Sequence, residues 1–136
     1  MLSLVDALGI RDRVTLLPTI TQKEVADLYA RSDVVVSPTE HDGTPNSVLE
    51  AMAAGVIPVV GDLPSLREWI EHMKNGILCD PLDPVNLAAG VRSALSEIDL
   101  EEARRQNLAI VEERAMFGRS MRQVETFYRA TLRPGP

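Results

Sequence analysis

Two carboxylates, Asp42 and Glu50, stand eight positions apart around a short polar stretch that contains Gly43 and Pro45. Gly43 allows close approach of the backbone to a ligand, and Pro45 suits the first turn of a helix, where an N–H is not needed. The amino end of a helix offers free backbone N–H groups and a partial positive charge, and therefore attracts anions such as phosphate. The flanking carboxylates could accept hydrogen bonds from the hydroxyls of a sugar.

The residues after this loop predict a short helix with an apolar stripe. Thr44 is the predicted N-cap, and the N–H groups of Asn46 and Ser47 would then point at an anion. Glu50 follows within two turns, still near the amino end of the helix. A purely structural interpretation stays equally open, in which Thr44 only caps the helix and Asp42 only complements its dipole.

The elements on either side of this helix predict a parallel crossover. Val34–Ser37 is a short β-branched run typical of a buried strand, and Ile57–Val60 is a second one after Gly55, which is expected to end the helix. Strand, loop, helix and strand in this order form one crossover of a parallel sheet. The loop then lies at the carboxyl edge of the sheet, where open parallel sheets bind their ligands.

The rest of the chain continues the alternation of strands and helices. Two more strands are predicted at Val14–Leu17 and Gly76–Cys79, which gives an α/β fold with a mostly parallel sheet of about four strands. Other helices are predicted at Leu2–Leu8, from Thr21 or Gln22 to Ala30, and at Ser65–Glu71, Pro84–Glu97, Glu101–Glu113 and Met121–Leu132. One domain over residues 1–132 and a short tail at 133–136 follow from this pattern and from the length of the chain.

Composition excludes several classes of function. A net charge of −6 disfavours nucleic-acid binding, which requires a basic face. Two histidines, one cysteine and no clustered triad of acids predict that no metal is bound. Cys79, within a predicted strand, is expected to be a small buried side chain in a reducing compartment. The sequence shows no signal peptide and no run of about 18 apolar residues, so we expect a cytoplasmic protein without a membrane span.

The motifs together resemble a known family. Asp42 and Glu50 are separated by seven residues, and Glu50 opens the stretch Glu50-Ala51-Met52-Ala53, which Gly55 and Pro58-Val59 follow. Further similar stretches are Asp33-Val34-Val35-Val36-Ser37-Pro38, Asn75-Gly76-Ile77-Leu78 and Asp80-Pro81. This set resembles the C-terminal, donor-binding domain of retaining GT-B glycosyltransferases of family 4, also called glycosyl transferases group 1. The resemblance covers about residues 5–130. It implies a Rossmann-like three-layer αβα domain that lacks the first two strands of the usual one, with helices at its C-terminal end.

The resemblance also implies roles for residues and a donor substrate. Asp42 would hold hydroxyls of the donor sugar, and Glu50 would hold the ribose of the nucleotide; these two form the predicted catalytic pair. The predicted substrate-binding residues are Gly43, Thr44, Pro45, Asn46 and Ser47, of which all but Pro45 would offer a backbone N–H to the diphosphate. The donor would be a nucleotide sugar such as a UDP- or GDP-hexose, and neither a metal ion nor a cofactor is expected.

Missing strands would have structural consequences. Val14–Leu17 would either pair beside Val34–Ser37 or detach from the sheet, and the free edge of Val34–Ser37 could mediate a homodimer. The acceptor-binding domain and a basic loop that neutralises the diphosphate would also be absent. The isolated chain is therefore expected to be inactive or to bind nucleotide weakly, and any peripheral membrane association would go through the missing domain.

Three functions remain open from the sequence. The first is transfer of a hexose, with retention, from a nucleoside-diphosphate sugar to a carbohydrate or lipid acceptor in polysaccharide biosynthesis. The second is a non-catalytic interaction module that completes a partner chain. The third is an α/β domain for an unrelated phosphate ligand, which the motif set disfavours.

Overall fold

The computed structural model describes residues 2–41, 43 and 46–131. The predictions for Asp42, Thr44 and Pro45, and for the tail at 133–136, lie outside the described residues. The helices are α1 (Leu2–Ala7), α2 (Gln22–Tyr29), α3 (Asn46–Ala53), α4 (Pro64–Arg67), α5 (Pro84–Ser96), α6 (Leu100–Arg114) and α7 (Phe117–Thr131). The strands are β1 (Val34–Ser37), β2 (Ile57–Gly61) and β3 (Ile77–Cys79), and a 3₁₀ turn covers Arg11–Arg13.

The three strands form one parallel sheet in the order β1-β2-β3. Val36 of β1 lies opposite Val59 of β2, and Val60 of β2 lies opposite Leu78 of β3. All five residues of the central strand are buried, as expected for a strand covered by helices on both faces. The predicted α/β class and the parallel crossover around α3 are confirmed.

The predicted strand at Val14–Leu17 is wrong, and among the described residues the sheet has three strands instead of about four. This segment follows the 3₁₀ turn as irregular backbone outside the sheet, the second of the two predicted outcomes. Leu16 and Leu17 are 43% and 50% exposed. A short apolar run gives a strand signal in the sequence, but pairing also needs a neighbouring edge and a surface to bury against.

Two apolar clusters cover the two faces of the sheet. β2 alternates between them, because Val60 joins one cluster while Ile57 and Val59 join the other. The first cluster includes Val48, Leu49 and Met52 of α3, Leu66 of α4, Ile70 just after α4, and Val111 of α6. The second cluster includes Ile77 and Cys79 of β3, Ala94 of α5, Ile98 just after α5, and Ala103 of α6. The layers are therefore helix, sheet and helix, and the predicted burial of Cys79 is confirmed.

Local signals for helix ends are also confirmed. Thr21 and Glu24 form a capping box at the start of α2, with Thr21 N–H donating to Glu24 Oε2 at 2.7 Å. Asp83 caps α5 by accepting from the N–H of Val85 at 2.8 Å. Gly55, just after α3, has a φ of +80°, a conformation that a residue with a Cβ adopts at a cost.

A buried pair of asparagines joins α6 to the turn before β3. Asn75 Nδ2 donates to Asn107 Oδ1 at 2.9 Å, and Asn107 Nδ2 donates to the carbonyl of Asn75 at 3.0 Å. Both side chains are fully buried. Because buried polar groups are costly unless they are hydrogen-bonded, this reciprocal pair fixes how α6 sits against the sheet.

The last helix, α7, begins at Phe117 instead of the predicted Met121. Its apolar stripe includes Val124, Phe127 and Tyr128, which are 43%, 66% and 60% exposed. Phe127 and Tyr128 contact each other edge to face, with ring centroids 6.1 Å apart. The stripe predicted by the sequence is present, but it faces outward in the described part of the chain.

Candidate functional site

The candidate site lies at the carboxyl edge of the sheet, where the chain leaves β1 and later enters α3. All three strands are parallel, so the connections after Ser37, Gly61 and Cys79 share this edge. Thr39 packs so closely on the end of β2 that a Cβ added to Gly61 would lie 2.3 Å from the Thr39 carbonyl oxygen. The Thr39 hydroxyl is buried and finds no hydrogen-bond partner among the described residues.

Helix α3 starts at this edge, and its polar residues face solvent because its apolar residues face the core. Val48 and Met52 are almost fully buried, whereas Asn46, Ser47 and Glu50 are exposed. The first-turn N–H groups of an α-helix have no acceptor within the helix. The first turn of α3 therefore has N–H groups without an acceptor inside the helix, and the carboxylate of Glu50 follows one turn later.

Helix α2 forms the opposite wall of an open cavity beside Glu50. The cavity measures about 320 Å³ and is lined by Gln22, Ala26, Tyr29, Glu50, Ala53 and Ala54, so it runs along α3 from Glu50 to the carboxyl end of the helix. The Tyr29 hydroxyl donates to the carbonyl oxygen of Ser47 at 3.1 Å. Burial of the ring, and then the nearby charge of Glu50, raise the pKa of Tyr29 above its usual value, so the hydroxyl keeps its proton at neutral pH.

An ion pair lies at the same edge, after β2. The Arg67 guanidinium donates to both oxygens of Asp62, at 2.6 and 2.7 Å. The hydrogen bonds from Arg67 hold the pKa of Asp62 below its usual range. Because Arg67 is already paired with a carboxylate, its charge is largely offset before any anionic ligand arrives.

The structure places three of the predicted site residues on one short helix and describes a fourth. Gly43, Asn46, Ser47 and Glu50 are all exposed, and the last three lie on one short helix. For Asp42, Thr44 and Pro45 the predicted roles stay predictions, since they lie outside the described residues. Tyr29, which lines the cavity beside Glu50, was not predicted, because its contact with Ser47 depends on how α2 packs against α3.

A larger cavity, of about 630 Å³, lies beside the carboxyl end of α3, where Ala53 and Ala54 line both this cavity and the one beside Glu50. Arg104 lines it and donates from Nε to the carbonyl of Gly55 at 3.1 Å. The same guanidinium lies 3.6 Å from Asp33 and 3.6 Å from Glu101. Arg104 thus ties α6 to the end of α3 and to the start of β1, away from the carboxyl edge.

Two further observations concern the whole described chain. Within residues 2–41, 43 and 46–131, no three His, Cys, Asp or Glu side chains are close enough together to hold a metal ion. No helix in the same residues is both long and apolar enough to span a membrane.

Comparisons of this sequence with known proteins all find glycosyltransferases. Residues 1–109 match the family described as "Glycosyl transferases group 1". The chain is 38% identical over 95 residues to an uncharacterised glycosyltransferase of Methanocaldococcus jannaschii, covering 70% of this chain and 24% of that protein. It is 34% identical over 92 residues to a D-inositol 3-phosphate glycosyltransferase of Thermobispora bispora, covering 68% of this chain and 22% of that protein.

A solved structure supports the same fold. Sucrose-phosphate synthase from Thermosynechococcus elongatus superimposes with a TM-score of 0.83 over 94% of this chain and 32% of that protein, at 23% identity. At this identity the likeness establishes the Rossmann-like fold alone. The chain spans about a quarter of the length of the curated relatives that it matches.

Proposed function

Because this chain belongs to the glycosyl transferases group 1 family, we propose that it is the nucleotide-sugar-binding part of a glycosyltransferase, with the donor at the amino end of α3. One observation carries the proposal most directly. Glu50 is exposed one turn after Asn46 and Ser47, whose N–H groups belong to the first turn of α3 and have no acceptor within the helix. A carboxylate beside an anion-binding helix end suits a ligand that carries both hydroxyls and phosphates.

In this proposal each part of the donor has its own partner. Glu50 accepts hydrogen bonds from the ribose hydroxyls, and the N–H groups of Gly43, Asn46 and Ser47 bind the diphosphate. Asp42 holds hydroxyls of the hexose, Thr44 adds a further N–H, and Pro45 contacts the donor without an N–H to give. The donor is a UDP- or GDP-hexose, and transfer to a carbohydrate or lipid acceptor occurs with retention, without a metal ion or cofactor.

Electrostatics predicts weak binding by the isolated chain. The chain carries a net charge of −6, and the nearby Arg67 is paired with Asp62. Stabilising a departing diphosphate takes positive charge or several well-aimed donors, and one such donor is worth several kcal/mol in enzymes. The helix N–H groups supply only part of this, so we expect nucleotide binding without measurable transfer.

The proposal is tested by calorimetric titration of the chain with UDP and GDP. We expect one of the nucleotides to bind with a dissociation constant in the millimolar range or tighter, and Glu50→Gln to weaken it at least tenfold, about 1.4 kcal/mol. Glu112→Gln, an exposed acid on α6, is the matched control and should bind like the parent chain. Failure of both nucleotides to bind at millimolar concentration, or equal binding by Glu50→Gln, would contradict the proposal.

A second candidate function rests on the outer edge of β1. β1 pairs with β2 on one side only, so its other edge is free among the described residues. A free strand edge can pair with another chain. In this alternative the chain is a non-catalytic module that completes a partner chain, and it would bind that partner but neither UDP nor GDP.

A further inference from the structure

Tyr29 links α2 and α3, which the chain otherwise connects through residues 30–45, with β1 between them. It is the last residue of α2, and its hydroxyl donates to the carbonyl of Ser47, eighteen positions along the chain. The ring is partly buried and lines the cavity opposite Glu50. The contact therefore lies on the side of α3 that carries Glu50.

The acceptor in this hydrogen bond belongs to the first turn of α3. In an α-helix the carbonyl of Ser47 also accepts from the N–H of Ala51, and a carbonyl oxygen has two lone pairs to serve both donors. The core side of α3 is held by Val48, Leu49 and Met52. Tyr29 holds the opposite, exposed side of the same turn, so the helix start is fixed from two directions.

We propose that Tyr29 is a positioning residue of the donor site: its hydroxyl fixes the first turn of α3, and its ring forms the cavity wall facing Glu50. This inference rests on the proposed function, because the turn that it fixes is the one assigned to the diphosphate. Holding that turn in place before binding lowers the ordering cost of the nucleotide, which is the general gain from preorganisation.

The test uses Tyr29→Phe, which removes the hydroxyl and keeps the ring. Amide exchange measured by NMR should become at least threefold faster at Ala51, with no change at residues of α5. We also expect the variant to bind UDP or GDP about threefold to tenfold more weakly than the parent chain, as loss of one hydrogen bond predicts. Tyr128→Phe, on the exposed stripe of α7, is the matched control and should change neither quantity.

A third measurement separates positioning from a simple loss of stability. If the hydroxyl and the nucleotide order the same turn, saturating nucleotide should restore the exchange protection of Ala51 in Tyr29→Phe to the level of the nucleotide-bound parent chain. If the hydroxyl only stabilises the fold as a whole, exchange in Tyr29→Phe should be faster across the whole sheet, and saturating nucleotide should slow it to the same extent in both chains. Unchanged exchange at Ala51 in the free variant, or unchanged nucleotide affinity, would overturn the inference.

The two proposals can fail separately. If the parent chain binds nucleotide and Glu50→Gln abolishes it while Tyr29→Phe behaves like the parent, the donor site stands and the role of Tyr29 is wrong. If the parent chain binds neither nucleotide, the donor site is wrong and Tyr29 is no donor-site residue, whatever the exchange rates show.

Discussion

At the residue scale, Asn107 is a buried polar side chain whose hydrogen bonds depend on one residue far away in the sequence. It exchanges two hydrogen bonds with Asn75, and both side chains are fully buried. Sequence patterns could predict the caps at Thr21 and Asp83 because their partners lie within three residues. They could not predict Asn107, since its partner is thirty-two positions away and its helix is otherwise highly charged.

Replacement of Asn107 should therefore be costly. We expect Asn107→Ala to lower the free energy of unfolding by about 2–4 kcal/mol, because it removes a buried side chain and leaves the Asn75 carbonyl without its donor. Gln106→Ala, one position earlier on α6, should change it by less than about 0.5 kcal/mol. Urea denaturation of both variants measures the difference, and equal midpoints would show that the asparagine pair adds nothing.

Only part of the candidate site could be predicted from the sequence. The spacing of Asp42 and Glu50 identified the loop and its helix, and the structure places Glu50, Asn46 and Ser47 on one exposed helix face. The contact between Tyr29 and Ser47 could not be predicted, because it depends on how α2 packs against α3. The ion pair between Arg67 and Asp62 could not be predicted either, because it depends on the conformation of the turn between β2 and α4.

At the element scale, the strands around α3 were predictable and the segment at Val14–Leu17 was not. β2 is a β-branched run in a connection with clear start and stop signals, and it is the buried centre of the sheet. Val14–Leu17 has similar residue types but lies outside the sheet. The residue pattern of a segment indicates which side chains could be buried in a sheet, but packing against neighbouring strands and helices determines whether they are.

Glycines at two positions illustrate this dependence on packing. A Cβ at Gly76, before β3, would lie 2.7 Å from Pro58 Cγ and 2.8 Å from the Pro58 carbonyl oxygen, whereas at Gly118 on α7 the nearest atom is 3.7 Å away. We expect Gly76→Ala to lower the free energy of unfolding by about 1–3 kcal/mol through overpacking. Gly118→Ala should raise helix stability by about 0.5–1 kcal/mol. Thermal unfolding would refute this account if both variants shifted in the same direction.

At the scale of the whole molecule, the outer edge of β1 is the feature most open to association. Val36 is 45% exposed on this strand, and β1 pairs only with β2 among the residues that the structure describes. We propose that two copies of the chain pair across this edge, because a strand edge offers unpaired N–H and C=O groups. The pairing would also cover the exposed Val36 side chain.

Light scattering after gel filtration tests the pairing of copies. We expect a mass that rises from one chain towards two as the concentration increases, and Val36→Lys should shift it back to one chain. Val85→Lys on α5, where the side chain is already 75% exposed, is the matched control and should associate like the parent chain. A single-chain mass at all concentrations, or association that survives Val36→Lys, would contradict the proposed edge.

The most direct test of the donor site is an NMR titration of the ¹⁵N-labelled chain with UDP and GDP. The account predicts that one of the nucleotides shifts the amide signals of Gly43, Asn46 and Ser47 more than those distant from α3, because these N–H groups meet the diphosphate. Glu50→Gln should reduce the shifts at a given nucleotide concentration. Shifts confined to the cavity around Arg104 at the opposite end of α3, or no shifts with either nucleotide, would contradict it.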